Sequence, residues 1–364
     1  MKVLTITGTR PEHIRLALTL PRLDQECEQI ILDTCQNYDD SLRGVFYREL
    51  GLRDPDITLK ARGSFAEQAS AISLGVDQAI QDHHPDRLFA LGDTNSTLIA
   101  SLVARRAGLI VIHAESGNRC GDCRSPEEIN RKILDHLSNV SLCYTERARL
   151  NLVREGIDPA TTWVTGNPIG QVIRHFQKRC HSVEQIAEER GWPSLAPKRY
   201  LLATAHRQEN VDYPYRLNAI LDGLRGAGRI LECPVIFSVH PRTRKRIAEF
   251  GFESKTDGLT LTEPLGFLDF LSLQRDALAI VSDSGTVAEE GLILGVPATI
   301  IRRSTERPEA VEAAGNRIVD VDPEAIIAAC SRPQLIPTPQ PPEEYLRPHV
   351  NEAMINVIVG YLLN

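Results

Sequence analysis

Short aliphatic and β-branched runs alternate with stretches of helical periodicity along almost the whole chain. Residues 3–7 read as a strand, and a helix follows from Pro11 toward Leu23 with proline in its first turn. Residues 29–32 form the next strand and 65–82 a helix. Residues 87–91 form a strand ending in Gly92-Asp93, and Thr94 is placed to cap a helix running through Ala107. Residues 109–112 are again strand, Pro126-Glu127-Glu128 opens a helix through Leu137, and 140–144 return to the sheet. A second series has strands at 200–204, 235–239, 259–261, 278–281, 298–301 and 317–319, with helices between them, one capped by Ser284 or Thr286. This alternation predicts an α/β fold: two Rossmann-like, doubly wound parallel sheets, each covered by helices, facing across a cleft. Residues 166–197, a helix and then a Trp192-Pro193 to Pro197 break, read as the passage between them. The expected domains are 1–168, rejoined by a C-terminal helix at 347–364, and 169–346. The proline-rich stretch 337–342 reads as an extended linker, and a last helix covers about 350–363.

Composition narrows the class. With 364 residues, 42% hydrophobic and 24% charged, the chain fits a soluble globular protein of about two domains. A net charge of −7 argues against a nucleic-acid surface. It still allows a phosphate pocket built from helix N-termini and one or two arginines. No apolar run reaches the ~18 residues of a membrane span, and the N-terminus has no cleavable signal pattern. The eight cysteines are scattered, which suits reduced thiols and a cytoplasmic protein with no membrane partner. Cys120-Gly121-Asp122-Cys123 lacks a second pair to complete a zinc site, so no metal is expected.

Candidate chemistry lies in polar islands directly after strands: Gly8-Thr9-Arg10-Pro11-Glu12, Gly92-Asp93-Thr94, residues 113–119, and Ser282-Asp283-Ser284-Gly285-Thr286 followed by Glu289-Glu290. Ligands of open parallel sheets bind outside the carboxyl ends of the strands. The islands therefore read as one active site assembled from both domains, suited to acid–base work on an anionic ligand. Gly8 permits close backbone approach and Arg10 can hold a phosphate, although this is no G-x-G-x-x-G fingerprint. Asp93 and Glu115 suit an acid and a base; the bland reading is a helix cap and a loop salt bridge. Glu127 and Glu128 suit the positive end of a helix, and at about 100° per residue at most one faces the cleft. His206, beside Arg207, can donate to a phosphate or a leaving oxygen, and His240 has a weaker case of the same kind. Ser284, Gly285 and Thr286 suit a diphosphate, with Glu289 or Glu290 reaching ribose hydroxyls. The charges of residues 302–309 either close the site or cover the surface.

The ordered motifs GTRPE (8–12), GDT (92–94), HAESGNR (113–119), PEEINR (126–131), the GN of Gly166-Asn167, AHRQEN (205–210), SDSGTVAEE (282–290) and TERPEA (305–310) resemble the non-hydrolysing UDP-N-acetylglucosamine 2-epimerase family. The resemblance implies a two-domain GT-B fold and a reaction without metal, NAD or other cofactor on a UDP-linked 2-acetamido sugar. UDP leaves by anti elimination to a 2-acetamidoglycal and adds back after the proton returns to the other face of C2. It places catalytic roles on Asp93, Glu115, Glu127 and His206 without dividing the proton work among the carboxylates. UDP contacts fall on Arg10, Ser284, Gly285 and Glu290, and Arg15, Asn167, Arg207, Thr286 and Arg307 count with them as substrate-binding. A homodimer is implied as well. Arg15 stands where many members have lysine, and Ser116, Asn118-Arg119-Cys120 and Thr286 also depart from the common spelling. Residues 117–120, 36–39 and 240–246 look more like the branch that forms UDP-N-acetyl-L-fucosamine from a 6-deoxy precursor, and 36–39 lack the segment of substrate-activated members. Three other readings compete: a hydrolysing relative, against which Pro11-Glu12 speaks; a GT-B glycosyltransferase, which fold leaves open; and a UDP-sugar sensor.

Overall fold

The computed structural model describes residues 1–35, 40–331 and 340–360, so Gln36 to Asp39 and the start of the proline-rich stretch lie outside it. Contacts divide the chain into two compact units, Met1–Val172 with Glu343–Asn364, and Ile173–Pro342. The first contains β1 (Lys2–Thr7), β2 (Glu28–Asp33), β3 (Ile57–Thr58), β4 (Arg87–Leu91), β5 (Ile110–Ala114), β6 (Val140–Cys143) and β7 (Thr162–Val164). They form one parallel sheet in the order β3-β2-β1-β4-β5-β6-β7. The second contains β8 (Leu201–Ala205), β9 (Val235–Val239), β10 (Thr260–Thr262), β11 (Ala279–Ser282), β12 (Ala298–Ile301) and β13 (Asn316–Val319), in the order β10-β9-β8-β11-β12-β13. Both sheets thus follow the Rossmann strand order, with helical crossovers between parallel neighbours.

The strands are continuous apolar runs because helices bury both faces of each sheet. In the first unit, Leu4, Ile6, Leu88 and Ala90 pack against Val76, Leu98 and Leu134. On the other face, Val3, Phe89 and Leu91 meet Leu16 and Leu20, together with Val350, Met354, Ile355 and Ile358 of the helix Val350–Gly360. The second unit packs Leu201, Ala203 and Phe237 on Leu217, Leu224 and Ile326, and Leu202, Ile236 and Ile280 on Leu273 and Val287.

The helix expected from Pro11 toward Leu23 is two helices, Arg10–Leu16 and Thr19–Glu26. Pro21 explains the break: its ring excludes the carbonyl four residues back, that of Ala17, and it lacks the N–H that would bond there. Strand β5 runs two residues further than expected, so His113 lies in the sheet. Strands β3 and β7, two and three residues long, are too short to leave a periodic signal. Among the described residues, no helix is long and apolar enough to cross a membrane.

Candidate active site

In each unit the strand order reverses once, between β1 and β4 and between β8 and β11. Loops leaving the two strands at such a reversal diverge, which makes it the usual ligand position of doubly wound sheets. Gly8-Thr9-Arg10 follows β1 and Gly92-Asp93-Thr94 follows β4, while His206-Arg207 follows β8 and Ser284-Gly285-Thr286 lies just past β11. Four of the candidate segments therefore flank the two switch points.

The turn after β1 is tightly built. A β-carbon at residue 8 would overlap the Thr34 hydroxyl, so any side chain there would have to displace Thr34 from its bond to Ser96. The Thr9 N–H donates to Glu12 Oε2 at 3.0 Å, and the Thr94 hydroxyl donates to Glu12 Oε1 at 3.0 Å. One buried carboxyl thus ties the turn after β1 to the turn after β4. Burial pushes Glu12 up to about 8, although its bonds from Thr9 and Thr94 pull the other way. Arg10 begins the helix, with its guanidinium 4.6 Å from the Phe46 ring centre.

Asp93 and Glu115 leave adjacent strands, paired through Leu91 and Ala114. Glu115 has φ of +73°, a left-handed backbone that a glutamate holds at a cost of roughly 1–3 kcal/mol. Its Oε2 accepts from Arg15 Nη1 at 2.7 Å and from the Tyr144 hydroxyl at 3.3 Å. It also lies 3.8 Å from where a β-carbon on Gly92 would stand, so the carboxylate rests against the turn that carries Asp93. Asp93 accepts from Arg131 Nε at 2.8 Å and is reached by Nη2 at 2.7 Å. Arg131 also donates Nη1 to Glu128 Oε2 at 2.8 Å.

Glu127 and Glu128 separate as helical geometry requires. Glu128 is buried and accepts from the N–H groups of Cys120 and Gly121 at 3.0 and 3.3 Å. Burial works to raise its pKa, but those bonds and Arg131 outweigh it and hold the carboxylate below its ordinary value. Glu127 is half-buried and accepts from the Ser125 hydroxyl at 2.7 Å. His113 is fully occupied: Nδ1 is 3.0 Å from Asp135 Oδ1 and Nε2 is 2.9 Å from the Gly92 carbonyl. Asp135 also accepts from Gly117 N–H and from Arg119 Nη1. Burial disfavours the imidazolium, yet the Asp135 carboxylate outweighs it and raises the His113 pKa. His113 thus pins the Gly92 carbonyl from within the sheet. Asn167 is buried, its Oδ1 accepting from Ile169 N–H at the start of the helix Pro168–Phe176.

In the second unit Asp283 organises the turn after β8. Its carboxylate accepts from the N–H groups of His206 and Arg207 and from Asn210 Nδ2, all within 3.1 Å. Its carbonyl accepts from Arg207 Nε at 3.0 Å. Burial would raise this carboxyl, but the His206 ring and these donors outweigh it and hold it well below the usual carboxylate range. His206 Nδ1 is 3.1 Å from Asp283 Oδ1, so Nδ1 donates and Nε2 is the nitrogen left for another oxygen. His240 accepts from Arg242 N–H as the cap of the helix Pro241–Glu249. The Ser284 and Thr286 hydroxyls are 2.9 Å apart at the start of the helix Gly285–Leu294. One turn along, Glu290 accepts from Gln274 Nε2 at 2.8 Å. Arg307 is buried in an ion pair with Glu289.

The model of the family described as UDP-N-acetylglucosamine 2-epimerase matches residues 22–359. The chain belongs to the UDP-N-acetylglucosamine 2-epimerase family. It is 36% identical over 334 residues to a UDP-N-acetylglucosamine 2-epimerase of Methanocaldococcus jannaschii, covering 90% of this chain and 91% of that one. The crystal structure of a UDP-GlcNAc 2-epimerase from the same organism, in complex with UDP-GlcNAc and UDP, superposes with a TM-score of 0.91 at 34% identity, covering 98% and 99% of the two chains. A UDP-2,3-diacetamido-2,3-dideoxy-D-glucuronate 2-epimerase of Pseudomonas aeruginosa is 31% identical over 334 residues, 90% of each chain. The family and the GT-B-type fold expected from the motifs therefore hold. Family motifs also contain two supporting residues that sequence reasoning passed over: Arg131, at the end of PEEINR, and Asp283, inside SDSGT. Arg131 could have been flagged as a positive charge one turn from Glu127 and Glu128, whereas Asp283 meets His206 and Arg207 only through the fold.

Proposed function

We propose that this protein inverts C2 of a UDP-linked 2-acetamido sugar, interconverting UDP-GlcNAc and UDP-ManNAc, by eliminating UDP and adding it back. The observation that carries this reading is the placing of Glu115 on left-handed backbone, with its carboxylate against the Asp93 turn and an arginine on each of the two acids. C2 inversion needs a proton removed from one face and returned to the other, and two differently buried carboxylates suit that exchange. Glu127 is the third acid in this reading. Departure of the diphosphate needs stabilisation of a developing anion. His206, with its ring fixed by Asp283, supplies a donor, and the helix start at Ser284, Gly285 and Thr286 supplies N–H groups. Arg10, Arg15, Arg207 and Arg307 contribute positive charge, Glu290 accepts from the nucleotide's hydroxyls, and Asn167 supports the sugar end.

Proton NMR with UDP-GlcNAc in D2O tests the reading. Deuterium at C2 together with a UDP-ManNAc anomeric signal is the expected result. UDP binding without exchange on this sugar would redirect the assignment to a different sugar, first a 6-deoxy one with the talo configuration. No UDP binding would overturn the reading.

A further inference from the structure

Arg302 leaves the end of β12 and is 8% exposed, and its Nη1 has no hydrogen-bond partner among the described residues. A buried guanidinium N–H without an acceptor is unfavourable, so such a group is either strained or waiting for one. Its position favours the second. Nη1 lies 3.7 Å from where a β-carbon on Gly285 would stand, at the first residue of the helix Gly285–Leu294. The Ser284 side chain bonds the Thr286 hydroxyl and caps none of the backbone N–H groups of that helix start. A carboxylate lies there instead: a β-carbon at Gly285 would overlap Glu306 Oε1. The other oxygen, Glu306 Oε2, is 2.8 Å from Arg302 Nη2, and Glu306 is 7% exposed.

A helix N-terminus and a buried guanidinium together make an anion position. The anion beside it in this structure is the protein's own Glu306. We propose that Arg302 is a further diphosphate-binding residue and that Glu306 is an internal counter-anion which the ligand's diphosphate displaces. The inference rests on the nucleotide-sugar reading above and adds two residues to it. Displacement follows from charge: a carboxylate and a diphosphate cannot share one small buried anion position. Glycine at 285 is also explained, since any side chain would fill the space both anions need.

Calorimetric titration of UDP and of uridine into the wild-type protein, Arg302→Met and Glu306→Gln tests this. Arg302→Met is expected to weaken UDP by about tenfold or more, as for a lost charge-assisted bond, while uridine changes little. Glu306→Gln keeps the shape, removes the competing charge and is expected to tighten UDP several-fold with uridine unchanged. Arg302→Met with unaltered UDP affinity, or with UDP and uridine weakened equally, overturns the inference and leaves the nucleotide-sugar reading standing. If Arg302→Met does not fold, Glu306→Gln decides, and unchanged or weaker UDP binding overturns the proposal. A wild-type protein that binds no UDP removes both the reading and the inference.

Discussion

Asp283 shows how one buried charge can set a candidate catalytic group. It fixes the His206 ring and the backbone of the same turn. Asp283→Asn keeps an acceptor there but cannot balance an imidazolium. Turnover is expected to fall roughly 10–100-fold while UDP still binds, measured as kcat beside UDP affinity. Glu12 makes a second prediction, through pH. Its folded-state pKa is about 8, above the ordinary 4.5, so the folded protein holds a proton the unfolded chain releases. Its contribution to stability is complete below about 4.5 and is lost as pH rises through about 8. Denaturant unfolding across that window should show stability declining with pH in the wild type and a flatter profile in Glu12→Gln. Neither effect is legible in the sequence. Asp93, Glu115 and His206 stand out there because each follows an apolar run. Which of Glu127 and Glu128 is buried depends on the side of the helix that meets the loop at Cys120, a tertiary fact.

Helices packed closely give predictions of a different kind. In the second unit the helix Pro214–Leu231 brings Gly223 and Gly226 against the helix Pro323–Cys330. A β-carbon at 223 would meet Ile326 Cβ at 3.0 Å, which no rotation of that side chain can relieve. At 226 the nearest atom is the tip of Ile327, which can turn aside. Gly223→Val is therefore expected to cost about 1–3 kcal/mol. Gly226→Ala should be near neutral, the helix-propensity gain of up to ~1 kcal/mol offsetting a small shift of Ile327. Thermal denaturation of the two variants side by side checks the contrast. Elements of this length are where sequence periodicity works best. Some departures have local causes: Pro21 splits one apolar stretch into two helices, and β3 and β7 are too brief to show a period; the helices Asp40–Leu50 and Glu146–Arg154 are not among the elements read from the sequence.

The chain builds its first unit from two separated pieces, since the helix Val350–Gly360 packs on the face formed by Val3, Phe89 and Leu91. Asn351 Oδ1 accepts from the Thr19 hydroxyl, and the Ile358 carbonyl accepts from Arg87 Nη1. Met354 is fully buried in this contact, and Met354→Ala should destabilise the first unit by about 2–5 kcal/mol, read from denaturant unfolding. The terminal helix is apolar in the sequence, but which sheet it covers is decided by packing. During synthesis the same arrangement sets an order of events. The ribosome releases every strand of the first sheet early, yet the helix Val350–Gly360 that completes the cover of one side emerges only after the whole second unit. The second unit, contiguous from Ile173 to Pro342, can finish first. Until that helix docks, Leu16, Leu20 and Leu23 cover the face only in part, and the remainder is an exposed apolar surface of the kind that molecular chaperones bind.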